Sequence, residues 1–202
     1  MSLKKKILGT GLVAVMSLGF ATGALASPND VVKTNEVSLT IKSANIGVGG
    51  LDLVTSPVQN GGFGEIELEA NPKTHYASFQ KDFTVKDLRG THEGWLLTVE
   101  ASQFDNGSHK LPKGSLTLDG VKEIKRVGKG SSQMPEKKLS QTKVIDDGAV
   151  KVANAKTGTG MGVFDISFNN NALGLTVDAT TAKVGNYKST LTWNLHATPD
   201  AN

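Results

Sequence analysis

Alternation of apolar and polar side chains recurs along this chain and constrains its fold more than any other feature. Leu191, Trp193 and Leu195 occupy every second position of one segment and are separated by polar residues. Neighbouring side chains of a β-strand point to opposite faces, so this alternation indicates a strand with one buried face. The same pattern occurs in residues 37–41, 66–68, 95–99, 164–168 and 173–177.

Clusters of glycine, asparagine and proline separate these segments, for example at residues 106–107, 158–162 and 169–171. Such residues favour turns because they adopt backbone conformations that other residues avoid. No strong helical pattern lies between the strands, which argues against a parallel α/β sheet. The sequence therefore predicts a single all-β domain with a β-sandwich-like or related antiparallel fold and a long basic loop region.

The N-terminus has the three parts of a secretory signal peptide. Lysines at 4–6 precede an apolar run over residues 7–20, and Ala24-Leu25-Ala26 forms a small-x-small cleavage pattern. The apolar run is shorter than the roughly 20 residues of a membrane span, so an uncleaved anchor is the less favoured alternative. We predict three regions: a signal peptide over 1–26, an N-terminal extension with a first strand over 27–49, and the main domain over 50–202.

The formal net charge of +3 belongs to this N-terminal segment. Lys4, Lys5 and Lys6 are its only charged side chains, so removing it leaves 19 basic and 19 acidic residues. The charged residues that remain are unevenly distributed along the chain, because residues 110–143 contain nine basic and three acidic side chains. This segment is either a solvated loop whose lysines maintain solubility or a local anion-binding surface. The candidate residues for that surface are Lys122, Lys125, Arg126, Lys129, Lys137 and Lys138.

The sequence contains no catalytic, cofactor or metal-binding pattern. The absence of cysteine excludes a disulfide scaffold, a thiolate zinc site and a cysteine nucleophile. His92-Glu93 is followed by Gly94-Trp95, which does not match the zinc-protease motif. A neutral exported chain is also a poor nucleic-acid binder. We therefore predict a protein that is not an enzyme, with no cofactor, no nucleic-acid partner and no transmembrane segment after cleavage.

Two segments share a Trp-x-Leu motif, and they contain both tryptophans of the chain. The first is Trp95-Leu96-Leu97, and the second is Trp193-Asn194-Leu195, which follows Tyr187 by a few residues. Asp87-Leu88-Arg89-Gly90-Thr91 lies shortly before the first motif. This combination resembles the WxL-domain surface proteins of Gram-positive bacteria, over about residues 50–199.

The resemblance implies a secreted protein that is held non-covalently at the cell surface and binds peptidoglycan or an associated wall polymer. It also implies an alternative role as a subunit of a surface complex, with a membrane-anchored WxL-interacting protein and other WxL proteins as partners. The motif residues that it marks as binding candidates are Trp95, Leu97, Trp193, Leu195, Tyr187, Asp87 and Arg89.

The role of these motif residues has two interpretations. Residues two apart lie on one side of a strand, so Trp193 and Leu195 form either a core-facing pair or a platform on which a sugar ring stacks. If both tryptophans are core residues, the ligand surface lies elsewhere, with Phe63, Tyr76, Phe79 and the basic segment as candidates. Arg89 either pairs with Asp87 or binds a carboxylate or phosphate of the wall.

Overall fold

The computed structural model describes residues 31–43, 50–55 and 62–200, and of 31–43 and 54–55 it describes the backbone alone. The proposed signal peptide lies outside the described residues. The strands are β1 (Val31–Ser43), β2 (Leu51–Thr55), β3 (Glu65–Glu67), β4 (Lys73–Ala77), β5 (Phe83–Asp87), β6 (Trp95–Ala101), β7 (Leu116–Leu118), β8 (Val121–Val127), β9 (Glu136–Lys137), β10 (Lys143–Val144), β11 (Val150–Ala155), β12 (Gly162–Phe168), β13 (Leu173–Val177) and β14 (Asn186–His196).

These strands form three sheets. Sheet 1 has six strands in the order β3-β1-β14-β6-β11-β9. Sheet 2 has the order β10-β7-β13-β4, and sheet 3 has the order β2-β5-β12-β8. All pairings of the described strands are antiparallel except that of β1 with β14, which is parallel. The prediction of an all-β, sandwich-like fold is therefore confirmed, with one parallel pair added.

The alternation that predicted β14 is also its burial pattern. Every second side chain from Tyr187 to Leu195 is buried, and the residues between them are exposed or half-buried. β14 lies between β1 and β6 at the centre of sheet 1, so its apolar face contributes to the middle of the core. One strand near the C-terminus thus connects the N-terminal strand to the rest of the sheet.

Sheets 1 and 3 pack against each other through aromatic side chains. The ring of Trp193 on β14 lies 3.9 Å from that of Phe83 on β5 and 6.1 Å from that of Phe168 on β12, centroid to centroid. Phe79 completes the cluster, 6.1 Å from Trp193. Trp193 and Phe83 are fully buried, so this cluster supplies much of the apolar area that holds the two sheets together.

Sheet 2 is joined to sheet 1 through the backbone of Ile145. The amide of Ala101 on β6 donates to the carbonyl of Ile145 (2.6 Å), and the amide of Ile145 donates to the carbonyl of Leu116 on β7 (3.0 Å). The apolar side chains of β7 and β13 are buried beneath the sheet. On the opposite face Thr117 and Thr176 are only half-buried, so sheet 2 has one face toward the core and one toward solvent.

The basic segment, expected as a long loop region, contains strands β7 to β10. Its irregular part is shorter and joins β8 at the edge of sheet 3 to β9 at the edge of sheet 1. The expectation of a loop gave too much weight to the lysines. Residues 121–127 form a strand in which Val121 and Ile124 are buried and the charged residues between them face solvent. Charged side chains are common on strands at a sheet edge, where they hinder unwanted pairing with other chains.

Replacing Trp193 tests the aromatic cluster. We expect Trp193→Ala to lower the free energy of unfolding by roughly 3–5 kcal/mol, because it leaves a cavity between sheets 1 and 3. Val184→Ala is the control, since Val184 is 53% exposed, and it should change this free energy by less than about 0.5 kcal/mol. Denaturant unfolding of both variants measures the difference, and equal stabilities would contradict the core assignment.

Candidate functional site

Neither tryptophan of the paired motif is accessible from solvent. Trp95 and Trp193 both have 0% relative exposure. The indole Nε1–H of Trp95 donates to the carbonyl of Gly160 at 2.9 Å, inside the glycine-rich turn before β12. A glycan-stacking platform requires an exposed ring face, so the structure places the tryptophans in the core and not on a binding surface.

The glycines around Trp95 have a steric role. A Cβ on Gly94 would lie 2.1 Å from the carbonyl oxygen of Ala155, and Gly94 has a φ of +82°. A Cβ on Gly160 would lie 2.8 Å from the Trp95 Nε1 atom, with a φ of +73°. Side chains at either position would displace the tryptophan or the neighbouring strand. The glycine-rich run therefore forms part of the Trp95 pocket.

The other motif residues are also interior. Leu195 on β14 is in register with Leu97 on β6, and both have 0% exposure. Tyr187 is buried as well, and its hydroxyl donates to the carbonyl of Lys183 (3.0 Å). The hydroxyl also accepts from the Lys183 amide (3.2 Å), which fastens the turn before β14. None of these three side chains presents a surface to a ligand.

Asp87 and Arg89 form a buried ion pair. The guanidinium Nε–H donates to Asp87 Oδ1 at 2.9 Å, and Nη2 donates to Asp87 Oδ2 at 2.8 Å. The two side chains are 2% and 7% exposed, respectively. The Asp87 hydrogen bond raises the pKa of the Arg89 guanidinium. This two-point geometry is the arrangement in which arginine binds a carboxylate most strongly.

The remaining donors of Arg89 connect the two tryptophan motifs. Nη2 donates to the carbonyl of Gly94 (2.5 Å), immediately before the first motif, and Nη1 donates to the carbonyl of Ala197 (2.7 Å), just after the second. Nη1 also approaches Glu93 Oε2 at 3.4 Å. The five N–H groups of a guanidinium are thus all directed at acceptors within the chain, which leaves Arg89 without a donor for an external anion.

The basic candidates, by contrast, lie at the surface. Lys138 is half-buried and the other five are exposed. Lys125 pairs with Glu123 (3.2 Å) and Lys138 with Glu136 (3.2 Å). The ammonium of Lys137 donates to the carbonyl of Lys122 (2.8 Å), so these two residues are neighbours in space.

The charges of this surface are only partly neutralised. Hydrogen bonds from Lys156 and Lys138 lower the pKa of the Glu136 carboxyl, which therefore stays ionised. Within the described residues, four basic candidates have no carboxylate within 4 Å, namely Lys122, Arg126, Lys129 and Lys137. We call these four the cationic surface. It retains positive charge that an anionic polymer can attract.

The three aromatic alternatives differ in exposure. Phe79 and Phe63 are half-buried and pack against the core, and the Phe63 ring lies 6.0 Å from that of Phe104. Tyr76 is 60% exposed on β4 of sheet 2. Sequence analysis identified Tyr76 as a candidate but missed Thr117 and Gly174, which lie in the same row across sheet 2. The alternation of β13, with Thr176 between buried leucine and valine, was the available signal for an exposed face there.

Within the part of the chain that the structure describes, no group of three or more histidine and acidic side chains is arranged to hold a metal ion. No helix that is long and apolar enough to cross a membrane occurs in the same residues.

Replacing Arg89 by lysine tests its structural role, and Arg126, the only other arginine of the chain, provides the matched control. We expect Arg89→Lys to lower the free energy of unfolding by about 3 kcal/mol, because one ammonium cannot replace the planar five-donor group and Asp87 stays buried. Arg126→Lys, at an exposed position, should cost less than about 0.5 kcal/mol. Thermal and denaturant unfolding measure both. Equal effects of the two substitutions would show that the Arg89 contacts contribute little.

Comparison with known proteins places this architecture in a family. A family model described as WxL domain, surface cell wall-binding, matches residues 27–199. The match includes β1 and ends three residues after β14. No curated protein and no solved structure matches the chain. The chain therefore belongs to the WxL family of surface cell-wall-binding domains.

Proposed function

We propose that this protein is exported by the signal peptide of residues 1–26 and binds peptidoglycan non-covalently at the cell surface. The family description supports wall binding in general. The observation that carries the finer proposal is the cationic surface, whose four basic side chains meet no carboxylate within 4 Å among the described residues. The stem peptides of peptidoglycan carry carboxylates, which such a surface attracts.

The buried motif supports this location of the binding surface. Both tryptophans and the Arg89 guanidinium are occupied inside the fold. Wall contacts must therefore come from the exterior, where the cationic surface spans the edges of sheets 1 and 3. The protein acts as a binding module in this proposal, with no catalytic step.

Sedimentation with sacculi stripped of teichoic acid tests the proposal. We expect the purified exported protein to pellet with sacculi, more strongly at about 50 mM than at about 500 mM NaCl, because salt screens exposed charges. A triple variant with Lys122, Lys129 and Lys137 changed to Gln should bind roughly tenfold more weakly at the lower salt concentration. The matched control changes the exposed residues Lys81, Lys151 and Lys183 to Gln and removes the same charge elsewhere.

The outcomes separate three possibilities. Equal binding of the variant and its control would contradict the cationic surface. Failure of the parent protein to pellet would contradict peptidoglycan binding. Pelleting that requires an added membrane-anchored WxL-interacting protein would favour the alternative role as a subunit of a surface complex.

A further inference from the structure

The outer face of sheet 2 carries a groove of about 410 Å³. Gly174 on β13 lies in register between Thr117 on β7 and Tyr76 on β4, so these three residues form a row across the sheet. Thr176 and Thr74 form the next row. The groove lies on the solvent side, opposite the buried leucines of β7 and β13.

Gly174 allows side chains of the neighbouring strands to form the floor of the groove. It lies within a strand, where glycine is disfavoured, and its φ is outside the left-handed region that would require glycine. A Cβ at this position would lie 2.8 Å from Thr117 Oγ1 and 3.6 Å from Tyr76 Cε1. The backbone conformation therefore does not explain the glycine. Its lack of a side chain leaves room for the Thr117 hydroxyl, which lies over Gly174 and forms part of the floor of the groove.

The polar groups around the groove are held in place by the protein. Asp119 Oδ1 accepts from the Gly120 amide (2.8 Å) and from the Thr142 hydroxyl (3.0 Å). Asp119 Oδ2 accepts no hydrogen bond from the described residues and stays available. Thr117 and Thr74 are fixed by hydrogen bonds to the Gly174 carbonyl (3.1 Å) and to Thr176 (2.9 Å). These contacts pre-organise the groove, which reduces the entropy lost on binding.

The chemistry of the lining selects an uncharged, hydroxyl-rich ligand. The polar lining of the groove consists of four threonines, Tyr76, Asp119 and Asn171. Threonine, asparagine and aspartate supply donors and acceptors that match sugar hydroxyl and acetamido groups. Asp119 is the one carboxylate and no cation lines the groove, which disfavours phosphate polymers. The 60% exposed ring of Tyr76 offers an apolar face beside these groups.

We infer that this groove is a subsite for the sugar backbone of the wall glycan, with a sugar ring stacked on Tyr76 and its polar groups bound by Thr117 and Asp119. The inference deepens the proposed function and rests on it. It assigns the neutral sugar chain to sheet 2, apart from the carboxylates assigned to the cationic surface.

Two variants with matched controls test the subsite. Tyr76→Ala removes the stacking ring, and Val184→Ala is its control at a position of similar exposure, 53% against 60%. Gly174→Ala displaces the Thr117 hydroxyl from the floor, and Gly130→Ala is its control, since a Cβ there would meet nothing within 4 Å. The probe is peptide-free glycan strand released from sacculi by an amidase, with the lactyl carboxylates that this cleavage frees converted to methylamides so that the strand is uncharged. Melting temperatures of all four variants verify that the fold is retained.

We expect the parent to bind the glycan strand with little dependence on salt, because the groove makes no ionic contact with an uncharged ligand. Tyr76→Ala and Gly174→Ala should each weaken binding about tenfold, and the two controls should not. In amide NMR spectra, the strand should shift the signals of Thr117, Gly174 and Thr176 in the parent protein.

The failures of the two proposals are distinguishable. A parent that pellets with intact sacculi but does not bind the peptide-free strand overturns the glycan subsite and leaves the proposed function standing. Equal binding by both groove variants and their controls overturns it as well. A parent that does not pellet with sacculi contradicts the proposed function, and the titration with the glycan strand still decides the subsite by itself.

Discussion

The antiparallel pairing of β14 with β6 is the contact on which the rest of the structure depends. It aligns Leu195 with Leu97 and Trp193 with Val99, so the two motif strands present one continuous apolar face. β14 also pairs with β1, which places a strand from near each end of the chain side by side in the centre of sheet 1. Within sheet 1, β14 joins the β3-β1 pair to the β6-β11-β9 strands, so the central core is built from contacts that are distant in sequence.

The Arg89 network explains why three motifs occur together. A single guanidinium binds the Asp87 carboxylate and the carbonyls of Gly94 and Ala197, which flank the two tryptophan motifs. A buried charge is tolerated only when its hydrogen-bonding groups are satisfied. Loss of any one partner therefore leaves buried polar groups unpaired and lowers the stability of the fold. The signature that identifies the family therefore describes its core, and the binding surface must be sought outside it.

Two exterior regions have complementary chemistry. The cationic surface has unneutralised lysines at the edges of sheets 1 and 3, and the groove of sheet 2 has hydroxyls, an amide, one carboxylate and the exposed ring of Tyr76. Peptidoglycan combines carboxylate-bearing peptides with an uncharged sugar backbone. In our proposal the cationic surface attracts the carboxylates of the peptides at long range, since Coulomb forces act over about 8–10 Å. The groove recognises the uncharged sugars at short range, since stacking requires contact.

The sequence by itself determined the all-β class and placed Trp193 and Leu195 on one side of a strand, because strand alternation is a local property read from neighbouring residues. The structure decided that this side faces the core. The sequence also placed Asp87 and Arg89 on one side of the chain, since residues two apart share a side, and the structure decided that they form an ion pair. Only the tertiary structure decided that Arg89 reaches Gly94 and Ala197, and that Thr117, Gly174 and Tyr76 meet in one row. Those contacts depend on the order and register of strands far apart in the chain. A local pattern does not encode this order, because the same alternation is compatible with many ways of pairing the strands.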